Sequence, residues 1–418
     1  MSHAVSRFFL REHEMLIPKM AFRNVFRQRR RSLLTGLTLT LGFVFFSVSL
    51  GLFDGTYGRI IEIFTKDHTG HIQIHRAGYL DRPSLYKTIS EGEDLERKLS
   101  TIPEVEAFAP RVYSPVLAFA GTKTTGAQMI GVDPDQEPKT SRLAVKVSQG
   151  RFFSRDPDNE IIIGSGLAEV LQVGLGGELS LITQAADGSI ANDTFRIIGI
   201  TDRTSSTLER MKCYLPITTA QAFLVLGDRV HEIAILLHRQ RDAQRIAAAM
   251  VGVMGDSTLE AAPWQVVEKP FYDAMQADYK GSYITLVIIM LIVAIGVLNT
   301  VLMAILERTR EFGVLRALGT RPGTVFSLIL YEVVFLSALS IAIAIPVSLL
   351  ANSYLSVHGI PTPAIEWGGM VFDEVIAEVT FKSIWLPTAV TFLTAVFVSI
   401  FPAIRAARVT PVTAMRFH

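Results

Sequence analysis

Four long stretches with almost no charge decide what this chain can fold into: Leu33 to Phe53, Tyr283 to Leu306, Val325 to Leu350 and Ile384 to Pro402. Tyr283 to Leu306 alone holds 24 consecutive uncharged positions. A helix rises about 1.5 Å per residue, and the hydrocarbon core of a bilayer is about 30 Å thick. Each stretch therefore reads as a transmembrane helix. Glu332 is the single charge inside the four, about two turns into the third, where it can pair with a loop arginine or reach the interface. Spans this poor in polar groups argue against an ion or sugar channel. They suit a device that moves, or one that takes a lipid-like cargo from the bilayer.

Orientation follows from the flanks. Segments 1–32, 307–323 and 403–418 hold 15 of the 40 Lys and Arg, whereas the loop 351–383 holds only Lys382. By the positive-inside rule both termini face the cytoplasm, which puts the large segment 54–282 outside. The first apolar run, 21 residues, is longer than the core of a signal peptide and is followed by no small-residue cleavage site, so it is expected to stay attached. The net charge of +1 gives no basis for nucleic-acid binding.

The fold class is accordingly a polytopic α-helical membrane protein of four spans, N-in and C-in, with a large two-lobed α+β extracytoplasmic domain between the first and second spans. The helical period of the first span continues through Phe53, Tyr57, Ile60, Ile61 and Phe64, which extends that helix outward to about residue 66. The domain itself, 69–265, alternates short strands with helices. Strands are expected at His71–His75, Val112–Phe119, Gln128–Val132, Glu160–Ile163, Glu178–Ile182, Phe195–Ile200 and Glu232–Leu237, and Thr218 and Asp242 are expected to cap helices. Two helix-then-strand units, starting at Asp94 and Asp242, suggest one split lobe from 69–135 and 210–267 around an inserted lobe at 140–210. Spans then follow at 283–306, 325–350 and 384–402. A cytoplasmic segment at 307–323, an outer loop at 351–383 and a cytoplasmic tail at 403–418 complete the chain.

Two amphipathic stretches flank the spans. Before the first, Phe22, Val25 and Phe26 take one face while Arg23, Arg27 and Arg30 take another, the pattern of a helix in the headgroup layer within residues 1–32. After the second, Glu307, Arg308, Arg310, Glu311, Arg316 and Arg321 alternate with Phe312, Val314, Leu315 and Leu318. Here the apolar helix is expected to run without a break into a surface helix that can meet a soluble partner.

Catalytic chemistry is not visible. No G-x-x-x-x-G-K-[ST] phosphate loop, H-E-x-x-H, C-x-x-C or G-x-S-x-G occurs, so neither a nucleotide nor a catalytic metal has a recognisable site. His71 and His75 share a strand face with Gln73, which reads as a solvated face rather than a metal site. Cys213, the only cysteine, is either a buried thiol or a bridge to a second subunit.

Three blocks resemble the ABC-transporter permeases of the FtsX, MacB and LolC/LolE class. They are Arg23-Asn24-Val-Phe-Arg27-Gln-Arg29-Arg30-Arg31-Ser32, the run Glu307-Arg308-Thr-Arg310-Glu311-Phe-Gly313-Val-Leu-Arg316-Ala-Leu-Gly319 with Asn299 before it, and Pro402-Ala-Ile-Arg405-Ala-Ala-Arg408-Val-Thr-Pro411-Val-Thr-Ala-Met-Arg416. Gly70-His71-Ile72-Gln-Ile-His75 and Gly150-Arg151-Phe152-Phe153 are similar to the outer domain of lipoprotein-releasing permeases.

The resemblance implies a non-catalytic, mechanotransmitting subunit in a bacterial inner membrane, with its large domain in the periplasm. Its implied partners are two copies of a separate ABC ATPase, a second permease chain, identical or related, membrane lipids and a lipoprotein or similar cargo. No cofactor is implied for this chain, ATP and Mg belonging to the ATPase. Small-molecule efflux as in MacB, or activation of a cell-wall hydrolase as in FtsX, are the rival implications. Glu307 to Arg321 would be the coupling helix that meets the ATPase, with Gly313 and Gly319 allowing close approach or helix termination. Glycines common in the third span of the class are missing between Ser337 and Leu350, which leaves its packing open.

Overall fold

A computed structural model describes residues 17–27, 29–90, 93–154, 159–202, 209–367 and 370–410, and the chain separates into two compact units. A helical unit comprises Met1–Tyr57, Gln276–Pro361 and Glu374–His418, and a sheet unit comprises Gly58–Met275 with Thr362–Asp373. The first 16 residues, Gly368 and Gly369, and the tail motif from Pro411 to Arg416 lie outside the described residues.

Among the described residues four helices are long and apolar enough to cross a membrane: Arg29–Phe64, Lys269–Glu307, Pro322–His358 and Lys382–Ala407. Residues 17–27 form a further helix before the first. The long helices exceed the uncharged stretches at both ends, because the helical period continues into charged, wettable turns. Apolar surface gives little drive for helices to associate in lipid, so small residues that permit close approach decide the packing. The third helix buries Ser337, Ser340, Ala344, Ser348 and Asn352, and the fourth buries Ser383, Thr391, Ala395, Ser399 and Ala403. Serine and alanine thus take the place of the missing glycines, and these two helices pack along each other. The first helix uses glycine instead: a Cβ at Gly51 would strike the Asn352 amide, and one at Gly55 would strike the backbone at Ile376 and Ala377.

The sheet unit contains strands β1 (Ile72–Arg76), β2 (Ile89–Ser90), β3 (Val105–Ala120), β4 (Lys123–Val132), β5 (Val147–Gly150), β6 (Glu160–Ile163), β7 (Glu178–Gln184), β8 (Ile190–Thr201), β9 (Lys212–Pro216), β10 (Arg229–Val230), β11 (Glu232–Leu237) and β12 (Leu259–Pro263). Ten of them form one mixed sheet in the order β12-β1-β11-β3-β4-β9-β6-β8-β5, with β7 bonded to β3 and β8. Strands from 69–135 and 210–267 lie together at one end of the order, and strands from 140–210 lie at the other. A separate two-stranded ladder pairs Ile360–Trp367 with Met370–Val375.

Two expectations fail here for physical reasons, and the choice left open for Cys213 is decided. His71, Gln73 and His75 are buried, not solvated, because β1 is paired on both sides, to β11 and β12, and covered on both faces. Thr218 does not cap the helix Ile217–Phe223, which starts from Pro216, and Asp242 sits at the start of Ala243–Met254 but turns its carboxylate to Arg245, 3.2 Å away. Cys213 lies in β9 between β4 and β6 with no exposed surface, and burial pushes its thiol up to about 12, so it is a packed thiol.

Candidate functional site

The second helix does not run unbroken into the surface helix. It ends at Glu307, Arg308 leaves helical geometry (φ −101°, ψ 9°), and a new helix spans Thr309–Ala317. What holds the break is the Arg308 side chain. Its guanidinium donates to both oxygens of Glu332 at 3.0 and 2.9 Å and to Glu311 at 3.0 Å, and it lies 5.1 Å from the centre of the Phe312 ring. Asn24, from the helix at 17–27, donates to the same Glu332 carboxylate at 2.6 Å. Three helices therefore converge on one carboxylate that lies within the third. A cavity of about 60 Å³ beside the pair is lined by Asn24, Ser32, Thr35, Thr300, Arg308 and Glu332 among others. It has the size and polarity to hold water and is far too small for a cargo.

The short helix is two-sided. Phe312 and Gly313 are buried, with Phe312 joining Val301, Ile305, Val325 and Ile329 in the core. On the other side Glu307, Arg310, Glu311, Val314, Leu318 and Arg321 are exposed, Leu318 by 79% and Val314 by 50%. An apolar centre ringed by charges of both signs is the make-up of a protein-docking surface. Arg316 belongs to neither side: it is half-buried and donates to the Thr320 carbonyl at 2.7 Å, closing the end of its own helix. Gly319 ends the helix at φ +91°, with the Thr320 N–H returning to the Leu315 carbonyl at 3.0 Å. Of the eight residues expected to dock a partner, Glu307, Arg310, Glu311 and Arg321 are on the exposed side. Arg308, Gly313, Arg316 and Gly319 shape the helix. Phe22, Arg23, Arg27 and Arg30 are all exposed.

A second polar cluster, which the sequence reading missed, ties the other end of the helical unit. Asp54 accepts from Tyr279 at 2.7 Å and from Lys382 at 3.2 Å, Lys382 also donates to the Tyr279 hydroxyl at 2.5 Å, and Tyr57 donates to Asp278 at 2.5 Å. The signal was there: Lys382 is the lone basic residue of the loop 351–383. Between the clusters Ser47 donates to the Ser383 carbonyl at 2.6 Å and accepts from Asn352 at 3.2 Å.

Within the sheet unit the chain leaving the first long helix makes a π-helical turn, Thr65–Thr69, where the Asp67 carboxylate meets Lys146 at 2.9 Å. Phe64 stacks on Phe271 at 3.8 Å, so the first and second long helices meet here as well. Deeper in, Arg111 grips Glu137 through two bonds, 3.1 and 2.8 Å, and lies 3.5 Å from Glu232, which accepts from Tyr113 at 2.9 Å. Burial pushes the Glu232 carboxyl up, while burial alone would lower the Arg111 guanidinium and its two carboxylates hold it well above its usual value. Burial also holds His71 and His231 at about 4, hence neutral. Among the described residues no group of three or more His, Cys, Asp and Glu is placed to hold a metal ion.

Residues 32–253 match the MacB-like periplasmic core domain, and residues 283–411 match the FtsX-like permease C-terminal domain. Among curated relatives, the lipoprotein-releasing system transmembrane protein LolC of Neisseria meningitidis serogroup B is 22% identical over 72% of this chain and 70% of its own length. The corresponding LolE of Haemophilus influenzae is 22% identical over 79% of this chain and 82% of its own. The macrolide export ATP-binding/permease protein MacB of a Shewanella strain is 24% identical over 95% of this chain but only 60% of its own length. Among solved structures, the periplasmic region of MacB from Actinobacillus actinomycetemcomitans aligns at 16% identity and a TM-score of 0.36 over 51% of this chain and 97% of that one. With one module covering the first helix and the sheet unit and the other covering the remaining three long helices, the chain belongs to the MacB/FtsX/LolC-LolE family of ABC-transporter permeases.

Proposed function

We propose that this chain is the non-catalytic transmembrane subunit of an ABC transporter of the lipoprotein-releasing type, in which a separate ATPase drives a periplasmic sheet unit through the membrane helices. The observation that carries the reading is the helix Thr309–Ala317: its back is packed by Phe312 and pinned by Arg308 to Glu332, and its front is an exposed apolar and charged surface. Permeases of this family work with ABC ATPases, and a nucleotide loop is missing from this chain. Two ATPase copies would dock on two permease chains, identical or related, with ATP and Mg bound by the ATPase alone. Glu307, Arg310, Glu311, Val314, Leu318 and Arg321 would form the contact. The basic flanks orient both termini to the cytoplasm of a bacterial inner membrane.

Motion would pass up the first and second helices, whose far ends meet at Phe64 and Phe271, and into the sheet unit through the Asp67–Lys146 pair. Cargo is then handled outside the spans, in keeping with their apolar make-up. The matches to LolC and LolE over most of their own lengths favour a lipoprotein or similar lipid-anchored cargo. The MacB match over 95% of this chain supports efflux of a small molecule as the second reading. The test is the purified complex in lipid, with ATP hydrolysis and release followed with and without a lipidated protein. Stimulated hydrolysis with release is expected; no response to lipidated protein, with a response to a macrolide, would transfer the assignment to efflux.

A further inference from the structure

The segment 17–32 carries Lys19, Arg23, Arg27, Arg29, Arg30 and Arg31 and no acidic residue. Its helix at 17–27 presses Ala21 and Val25 into the protein and leaves Lys19, Phe22, Arg23, Phe26 and Arg27 exposed. Rings continue this face onto the third helix: Phe26 lies 5.0 Å from Phe22, Phe22 lies 5.7 Å from Phe335, and Phe335 lies 6.4 Å from Tyr331. Half-exposed aromatic rings beside guanidinium groups match the glycerol and headgroup layer of a bilayer, and basic charge with no acidic residue in the same segment selects its anionic lipids. The same short helix carries Asn24, whose amide reaches the carboxylate that holds Arg308 at the start of the helix Thr309–Ala317.

We infer that this face is an anionic-phospholipid site, and that headgroup binding at Arg23, Arg27 and Arg30 steadies the helix Thr309–Ala317 through Asn24 and Glu332. Lipid composition then tunes how firmly the docking helix is held. That consequence rests on the role proposed for the docking helix, but the binding and its relay can be read on the chain alone, so each can fail without the other.

The test is hydrogen exchange on the full-length chain in nanodiscs of phosphatidylcholine, with or without phosphatidylglycerol. Phosphatidylglycerol is expected to slow exchange in both 17–27 and 309–317, with attachment strengthened about fivefold for each arginine engaged. The surface variant Arg23→Gln/Arg27→Gln/Arg30→Gln should lose both effects. Asn24→Ala should keep the slowing in 17–27 and lose it in 309–317. Equal exchange in the two bilayers, or a response that survives in the triple variant, would overturn the lipid site. Slowing of 309–317 that persists in Asn24→Ala would overturn the relay. Protection of 17–27 that appears only on adding the partner ATPase, whatever the lipid, would make this face a protein contact instead.

Discussion

The two ends of the helical unit are both tied by charge, but the ties differ in kind. At one end Arg308 donates from Nη1 to both oxygens of Glu332 and from Nε to Glu311, and the Arg308 and Glu332 side chains are only 10% and 19% exposed. A planar guanidinium held by two carboxylates through different nitrogens is fixed in angle as well as distance. At the other end the Lys382 ammonium meets Asp54 at 3.2 Å and is 39% exposed, with the rings of Tyr279 and Tyr283 within 5.2 and 5.8 Å of it. An ammonium has no preferred plane, and neighbouring aromatic faces offer it alternative seats. The first cation is the more buried and the more directionally held of the two, although Asp54, at 14% exposed, is as buried as Glu332. On the function proposed above, the docking helix would be a stiff input joint and the far end a compliant output joint.

The largest effect should come from Glu332→Gln, which leaves the buried Arg308 charge with only the exposed Glu311 carboxylate, a loss of up to about 3 kcal/mol. ATP hydrolysis by the assembled complex should lose its dependence on cargo, while Lys382→Met should not have that effect. Equal losses from the two substitutions would erase the contrast. Arg308→Lys sharpens it further, since it keeps the charge and removes the planar group that spans Glu332 and Glu311; coupling should fall although the chain still inserts.

Acid separates the sheet unit from both joints, neither of which contains a histidine. His71 and His231 are held at about 4 in the folded chain and titrate near 6.5 when unfolded. Their contribution is fully present above pH 6.5 and is lost as pH falls toward 4, up to about 3 kcal/mol for each. Denaturation of the sheet unit followed by tryptophan fluorescence between pH 7 and 4 should show this loss, and His231→Gln should remove about half of it.

Docking variants come next in size. Leu318→Asp in the exposed face should weaken the hold on the ATPase by about 2 kcal/mol, roughly thirtyfold, in a pull-down or calorimetric titration. Arg316→Gln should act by loosening the helix end, so it should lower the stability of the helix more than affinity measured at saturation. The smallest effect is expected from Lys382→Met: about 1 kcal/mol of thermal stability, because the ammonium is partly exposed and Asp54 keeps the Tyr279 hydroxyl.

Which of these features the sequence reveals depends on the range of the interaction behind them. The four spans were legible because missing charge is a local property, and Glu332 announced a partner because a lone carboxylate in an apolar helix needs one. Strands such as Glu160–Ile163 and Glu232–Leu237 were legible in their β-branched and aliphatic runs, and the structure places them at those residues. The break at Arg308 was not, since nothing in its helical pattern shows that a side chain 24 positions away would capture it. Asp54 and Lys382 stand 328 positions apart, and only the packing of Gly51 and Gly55 against residues 352 and 376–377 brings them together. The alternation around His71 misled for a related reason: a period of two reports a strand, whereas exposure depends on what covers its faces.

The rigid-input, compliant-output contrast is tested most directly by distances measured across each joint through the ATP cycle. With Cys213→Ala as background, spin labels would be placed at Phe26→Cys with Tyr331→Cys for the first joint, and at Tyr283→Cys with Phe381→Cys for the second, all at exposed positions. Electron paramagnetic resonance on the assembled complex in lipid, with and without ATP, should show a narrow, unmoved distribution for the first pair and a shifted or broadened one for the second. A first pair that moves while the second stays fixed would contradict the account.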